Sequence, residues 1–177
     1  LVESDQSFTL GFEYEKINKK NNVTFLNLGL AAVFRDRKSF DLPEQGSLGQ
    51  KTSDVVGIFN LNPSKYFDFN YEFSIDNNLD QINYNNINTN ISINNLITSF
   101  EFLEENKHIG ENSYLTNKTT YNFNENKLIR FETTKDLKKD LTEYYKLIYE
   151  YKNDCLTASI EYDKEYYSDG DLKPKEN

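Results

Sequence analysis

Apolar and polar residues alternate one by one along much of this chain, the period that sends successive side chains to opposite faces of a β-strand. Phe8, Leu10, Phe12 and Tyr14 are interleaved with Thr9, Gly11, Glu13 and Glu15. Leu26, Leu28, Leu30, Ala32 and Phe34 are interleaved mostly with small or polar residues such as Asn27, Gly29 and Ala31. Phe67, Phe69, Tyr71, Phe73 and Ile75 alternate with Asp68, Asn70, Glu72 and Ser74, and the same period runs through 87–93 and 156–162. Read this way, the chain holds about ten strands, most near the 9–11 residues of a tilted transmembrane strand rather than the 5–6 of a globular sheet.

The predicted connections alternate too. Short turns are expected around 18–22, 62–65, 94–95, 124–127 and 152–154, and longer loops around 36–53, 76–82, 104–113, 135–140 and from 168 onward. Tight turns at one rim and long loops at the other are the signature of an outer-membrane barrel, with periplasmic turns and extracellular loops. One stretch reads two ways. Leu137, Leu141, Tyr144, Tyr145 and Ile148 fit helical spacing. The strand reading of 135–151 puts Tyr145, Leu147, Tyr149 and Tyr151 on one face, with Lys146 and Glu150 inward, and the Tyr and Ile enrichment favours it.

Composition sharpens this picture. Hydrophobic residues make up only 37% of the 177, while aromatics reach 15%, as 13 Tyr and 13 Phe. That mixture makes a poor soluble core and suits a lipid-facing wall with aromatic girdles and a polar lumen. No run approaches the eighteen apolar residues of a spanning helix, which does not count against a barrel, whose strands are short and only alternately apolar. The net charge of -9 argues against wrapping nucleic acid. No secretory signal is visible at the start and there is no methionine. The chain ends in a polar run, Lys173 to Asn177, without the terminal aromatic of a closing strand. It is therefore expected to be an internal piece of a longer protein.

The fold expected is all-β: an antiparallel up-and-down meander forming part of a large transmembrane β-barrel across 1–177, with a periplasmic domain and closing strands outside the segment. Glu13, Glu15, Asp68, Asn70, Glu72, Lys146 and Glu150 are the candidates for lining its lumen. Candidate chemistry is sparse. His108, the one histidine, is expected in a loop, and no phosphate loop, zinc spacing or triad is present. No enzyme activity, cofactor or metal site is expected. The loop carboxylates of Asp169 and Asp171, or of Glu104 and Glu105, read as solvated decoration rather than a cation site. The Asn-rich 83–88 keeps its alternation with Tyr and Ile, so it reads as a strand with an Asn face.

Three stretches carry a family resemblance. Gly46-Ser47-Leu48-Gly49-Gln50-Lys51-Thr52-Ser53-Asp54-Val55-Val56-Gly57 resembles the glycine-rich loop and strand entry of the barrel domain of the lipopolysaccharide-assembly family LptD. Leu61-Asn62-Pro63-Ser64-Lys65-Tyr66 resembles the turn that follows, and Asn153-Asp154-Cys155-Leu156 the late barrel turn where that family carries one or two cysteines. From the residues alone, Gly46, Gly49 and Gly57 with Ser53 and Asp54 are turn and strand-entry positions, and Cys155 is a lone thiol beside a predicted periplasmic turn, in an oxidising compartment.

The resemblance implies more. It implies a disulfide from Cys155 to a periplasmic domain outside the segment; Leu156 replaces the second cysteine, leaving at most one of the family's two cross-links. It implies an LptE-like lipoprotein plug, periplasmic lipopolysaccharide-bridge proteins as partners, and delivery of lipopolysaccharide into the outer leaflet of the bacterial outer membrane. Two other readings stay open at this point: a different outer-membrane barrel, such as a porin or nutrient receptor, and a secreted glycan-binding β-sandwich.

Overall fold

The computed structural model describes residues 6–19, 23–42, 47–107 and 109–166. These contain ten strands: β1 (Ser7–Asn18), β2 (Val23–Arg35), β3 (Val55–Ser64), β4 (Phe67–Ile75), β5 (Ile82–Ile93), β6 (Leu96–Glu105), β7 (Ser113–Asn124), β8 (Lys127–Asp136), β9 (Leu141–Lys152) and β10 (Thr157–Glu165). Each strand pairs antiparallel with its neighbour in sequence, so the order in the sheet is simply β1 to β10. The protein is an all-β antiparallel meander in one ten-stranded sheet. The sheet is open, with β1 and β10 as its edges.

The register sorts the side chains, because residues directly opposite each other share a face. One row runs Phe12, Leu30, Gly57, Phe73 across β1 to β4; the next runs Glu13, Gly29, Ile58, Glu72, Asn86 on the other face. Followed across all ten strands, the first face carries Phe8, Leu10, Phe12, Leu28, Leu30, Phe59, Phe69, Tyr71, Phe73, Ile87, Phe100, Phe102, Leu115, Phe131, Leu147, Tyr149 and Ile160. Its interruptions satisfy one another: the Thr98 and Thr119 hydroxyls lie 2.7 Å apart, and the Asn117 amide donates to Thr98 Oγ1 and to the Ser99 carbonyl.

Burial is inverted relative to a water-soluble sheet. Among the described residues no hydrophobic side chain is buried, and Phe12 (57% exposed) and Ile160 (75%) stand for many that are bare. The buried residues are all polar: Ser39, Ser47, Ser53, Asp54, Ser74, Asn83, Ser113 and Asp136. All eight sit at the rim that carries the connections 36–54, 76–81, 106–112 and 137–140. A sheet normally buries one face against a second layer. Among the described residues nothing packs against the apolar face.

The opposite rim carries the turns 65–66, 94–95, 125–126 and 153–156. Asn94 sits in its tight turn at φ 50°, a left-handed conformation that asparagine tolerates. Several boundaries differ from the sequence reading, two of them instructively. The turn expected at 62–65 falls at 65–66, because β3 continues through Pro63 across a register shift between Leu61 and Ser64. The loop expected at 135–140 shrinks to 137–140, no longer than the turn at 153–156, because Lys135 and Asp136 still pair with Thr142 and Leu141. The stretch 135–151 is strand on both sides of that turn, and the helical alternative is absent: cross-strand pairing, not 3.6-residue spacing, places Tyr144 to Ile148.

Candidate functional site

The polar face is knitted across strands by its own side chains. Asn27 Nδ2 donates to Glu13 Oε1 at 3.2 Å and the Thr24 hydroxyl to Glu15 Oε1 at 2.5 Å. The amide of Asn70 donates to Asn60 Oδ1 and Asn90 Nδ2 to Asp68 Oδ1 at 3.3 Å, while along β5 Asn88 Nδ2 donates to Asn86 Oδ1 at 3.0 Å. Lys146 pairs with Glu161, and Tyr144 donates to Glu132 at 3.1 Å. All seven lumen candidates lie on this face: Glu13, Glu15, Asp68, Asn70, Glu72, Lys146 and Glu150. Asparagine suits it because its amide both donates and accepts, so neighbouring strands can be linked without charge.

Within the polar face lies one apolar hollow of about 1030 Å³. Its floor is two adjacent rows, Gly11–Ala31–Val56–Ser74 and Glu13–Gly29–Ile58–Glu72, where glycine and alanine on β1 and β2 leave depth. Leu48, from the connection 36–54, and Ile109 also line it.

The connection 36–54 is pinned to the sheet. Thr52 bridges Phe34, and Ser53 exchanges bonds with Val33, its backbone N–H donating to the Val33 carbonyl and its hydroxyl accepting from the Val33 N–H, each at 2.8 Å. The Asp54 N–H donates to the Ser47 hydroxyl at 2.7 Å. Asp54 Oδ2 accepts from Ser74 Oγ at 3.1 Å and Asn83 Nδ2 at 2.9 Å. Asn83 reaches it because the β4–β5 register shifts between Ser74 and Ile75, leaving Asn83 as the extra, re-aimed residue of a bulge. Gly49 packs against Ser39, where a Cβ would lie 2.8 Å from the Ser39 carbonyl. The Ser53–Asp54 pair thus anchors a loop, a role its position in the sequence did not reveal.

The neighbouring loops carry surface pairs. The Asn78 amide, and then Lys107 at 3.3 Å, hold the Asp76 carboxyl below its ordinary value. Asp136 holds the Lys139 ammonium above its own, and Lys135 holds Asp140 low. Glu104 and Glu105 point to opposite faces of β6 and do not converge.

Cys155 is exposed in the turn 153–156, where its N–H and that of Leu156 both donate to Asn153 Oδ1. It lies at the short-turn rim, away from the hollow, and its thiol is free within this chain. Gly46, His108, Asp169 and Asp171 lie outside the described residues. No protein-family model matches the chain, and no curated protein matches its sequence.

Proposed function

We propose that this chain is wall of a bacterial outer-membrane β-barrel, its apolar face against acyl chains and its polar face toward an aqueous lumen. The observation that carries this reading is the inverted burial: a mainly apolar sheet face, interrupted by polar residues such as Asn85, Glu104 and Asn117, with no hydrophobic side chain buried among the described residues. In water such a face would be a large unsatisfied patch; in a bilayer it is solvated. Strands of nine to thirteen residues support the reading. At about 3.3 Å per residue and a tilt near 45°, ten residues span roughly 23 Å, close to the apolar band of such barrels. Lys16 over Phe25 and Lys65 over Tyr66, both at the short-turn rim, are amphipathic pairs of the kind that mark a membrane interface.

An open sheet cannot stand in hydrocarbon, since the edges of β1 and β10 would leave backbone groups unpaired. Closure by further strands is part of the proposal. Within the barrel class, the resemblance of 46–57, 61–66 and 153–156 to LptD supports transport of lipopolysaccharide to the outer leaflet, without covalent catalysis. Its partners are an LptE-like lumen plug and the periplasmic bridge, and Cys155 is the tether to the periplasmic domain.

Two experiments test the two levels. In a Cys155→Ser background, a fluorophore placed in turn at positions 68 to 73 and exposed to brominated lipid is quenched at Phe69, Tyr71 and Phe73 and spared at Asp68, Asn70 and Glu72. Uniform quenching or none removes the barrel. Depletion of the full protein in its host lowers surface lipopolysaccharide and backs it up at the inner membrane; unchanged surface lipopolysaccharide removes the transport assignment and leaves the wall.

A further inference from the structure

We infer that the hollow on the polar face is a binding site for small organic cations with an apolar body. The inference rests on the polar face being water-filled lumen, and names a ligand class for it. A cavity of about 1030 Å³ lined mainly by apolar groups, with a few polar groups at its margin, has the size and make-up of a small-molecule site. Gly11, Ala31, Val56, Gly29 and Ile58 supply a contiguous apolar floor in a face that elsewhere carries mostly Asn, Thr, Tyr and charged residues, with Leu103, Leu128 and Ile148 scattered among them. Leu48 lines it from the pinned connection 36–54.

Charge decides which ligand. Glu13 and Glu72 close the two ends of one floor row, with Gly29 and Ile58 between them. Three strand spacings of about 4.8 Å put those ends roughly 14 Å apart along the sheet. Asp54 stands above, already engaged by Ser74 and Asn83. Among the described residues no Lys or Arg lines the hollow. An ammonium or guanidinium at either end meets a carboxylate while its apolar body covers the floor. A phosphate or carboxylate there meets like charge, so an anionic lipid headgroup is excluded from the hollow.

The chain carries three alanines, which report on this independently: Ala31 in the floor, Ala32 on the opposite face and Ala158 on β10. The full protein is placed in bilayers of uncharged lipid with its alanine methyls isotope-labelled, and titrated at neutral pH with phenethylamine, phenethyl alcohol or phenylacetate. The amine shifts the Ala31 methyl saturably and leaves Ala158, remote from the hollow, unmoved; the alcohol binds about ten-fold more weakly and the acid not at all. The isosteric pair Glu13→Gln and Glu72→Gln together weaken the amine by about ten-fold or more, and Ala31→Leu, which fills the floor, abolishes its effect. The inference falls if the acid or the alcohol shifts Ala31 as strongly as the amine, or if the Gln variants bind it unchanged. Lipid contact of Ala32 and Ala158 is read separately, so loss of amine binding with that contact intact rejects the hollow alone.

Discussion

The Asn83 amide donates to Asp54 Oδ2 at 2.9 Å, joining the bulge of β5 to the connection before β3 over the intervening β4, with both residues buried. Ser74 of β4 donates to the same oxygen, so one carboxylate gathers three neighbouring elements. A hydrogen bond to a buried charge contributes about 1.5–3 kcal/mol, and removing the carboxylate strands its donors.

Asp54→Ala and Asn83→Ala are therefore each expected to destabilise the rim by about 1–3 kcal/mol. The connection 36–54 should loosen before the sheet does. Limited trypsin digestion monitors it at Lys51, whose carbonyl accepts from the Arg35 N–H at 2.7 Å in the folded loop. Faster cleavage at Lys51 with the strands intact is the expected result; an unchanged rate would show that the backbone bonds alone hold the loop.

Gly57 lies opposite Phe73, and a Cβ on Gly57 would fall within the Phe73 ring. Gly57→Val must push that ring off the sheet, and overpacking of this kind costs about 1–3 kcal/mol. The heat-modifiable gel shift of the folded protein should move to lower temperature. The companion Gly57→Val with Phe73→Ala should recover part of the loss.

Ile87 and Asn88 are neighbours on β5 with opposite faces. A lysine at mid-wall on the lipid side costs about 2–4 kcal/mol, whereas lumen positions tolerate charge. Ile87→Lys is expected to lower refolding into vesicles by that margin, and Asn88→Lys, which faces Glu101 across β6, by less than about 0.5 kcal/mol. Equal penalties at the two positions would contradict the partition of faces.

The rim loops respond to pH at both extremes. The folded Asp76 carboxyl is held below 3.8 by the Asn78 amide and Lys107, so its stabilisation is present above that value and is lost as pH falls through its lowered pKa. The Lys139 ammonium is held above 10.5 by Asp136, so its contribution is complete below that value and is lost as pH rises beyond it. Protection against amide exchange, corrected for the intrinsic rate, should fall in 76–81 in acid only, and in 137–140 both in acid, where the lowered Asp136 and Asp140 carboxyls protonate, and in strong base. Both segments are exposed, so the strands should remain protected throughout.

Much of this sheet was legible because alternation needs no tertiary information. Phe67 to Ile75 could hardly be anything but a strand with Asp68, Asn70 and Glu72 on one side, and cross-strand pairing then put the residues of β1 and β9 on the same two faces. What stayed hidden depends on who sits opposite whom. The hollow needs Gly29 beside Glu13 and Ile58, a relation set by register and not by spacing along the chain. The Asp54–Asn83 anchor needs a bulge at Ser74–Ile75, and nothing in 82–84 announces one. The helical spacing of Leu137 to Ile148 left a second reading beside the favoured strand because aromatic-rich strands with two useful faces can mimic a 3.6-residue stripe over a short window.

The most direct measurement is paramagnetic broadening of the same three alanine methyls in the full protein in bilayers. A nitroxide dissolved in the acyl chains should broaden Ala32 and Ala158 and spare Ala31, and a water-soluble gadolinium chelate should do the reverse. If the chelate broadens Ala32 and Ala158 as much as Ala31, the apolar face is bathed in water and the chain is not membrane wall.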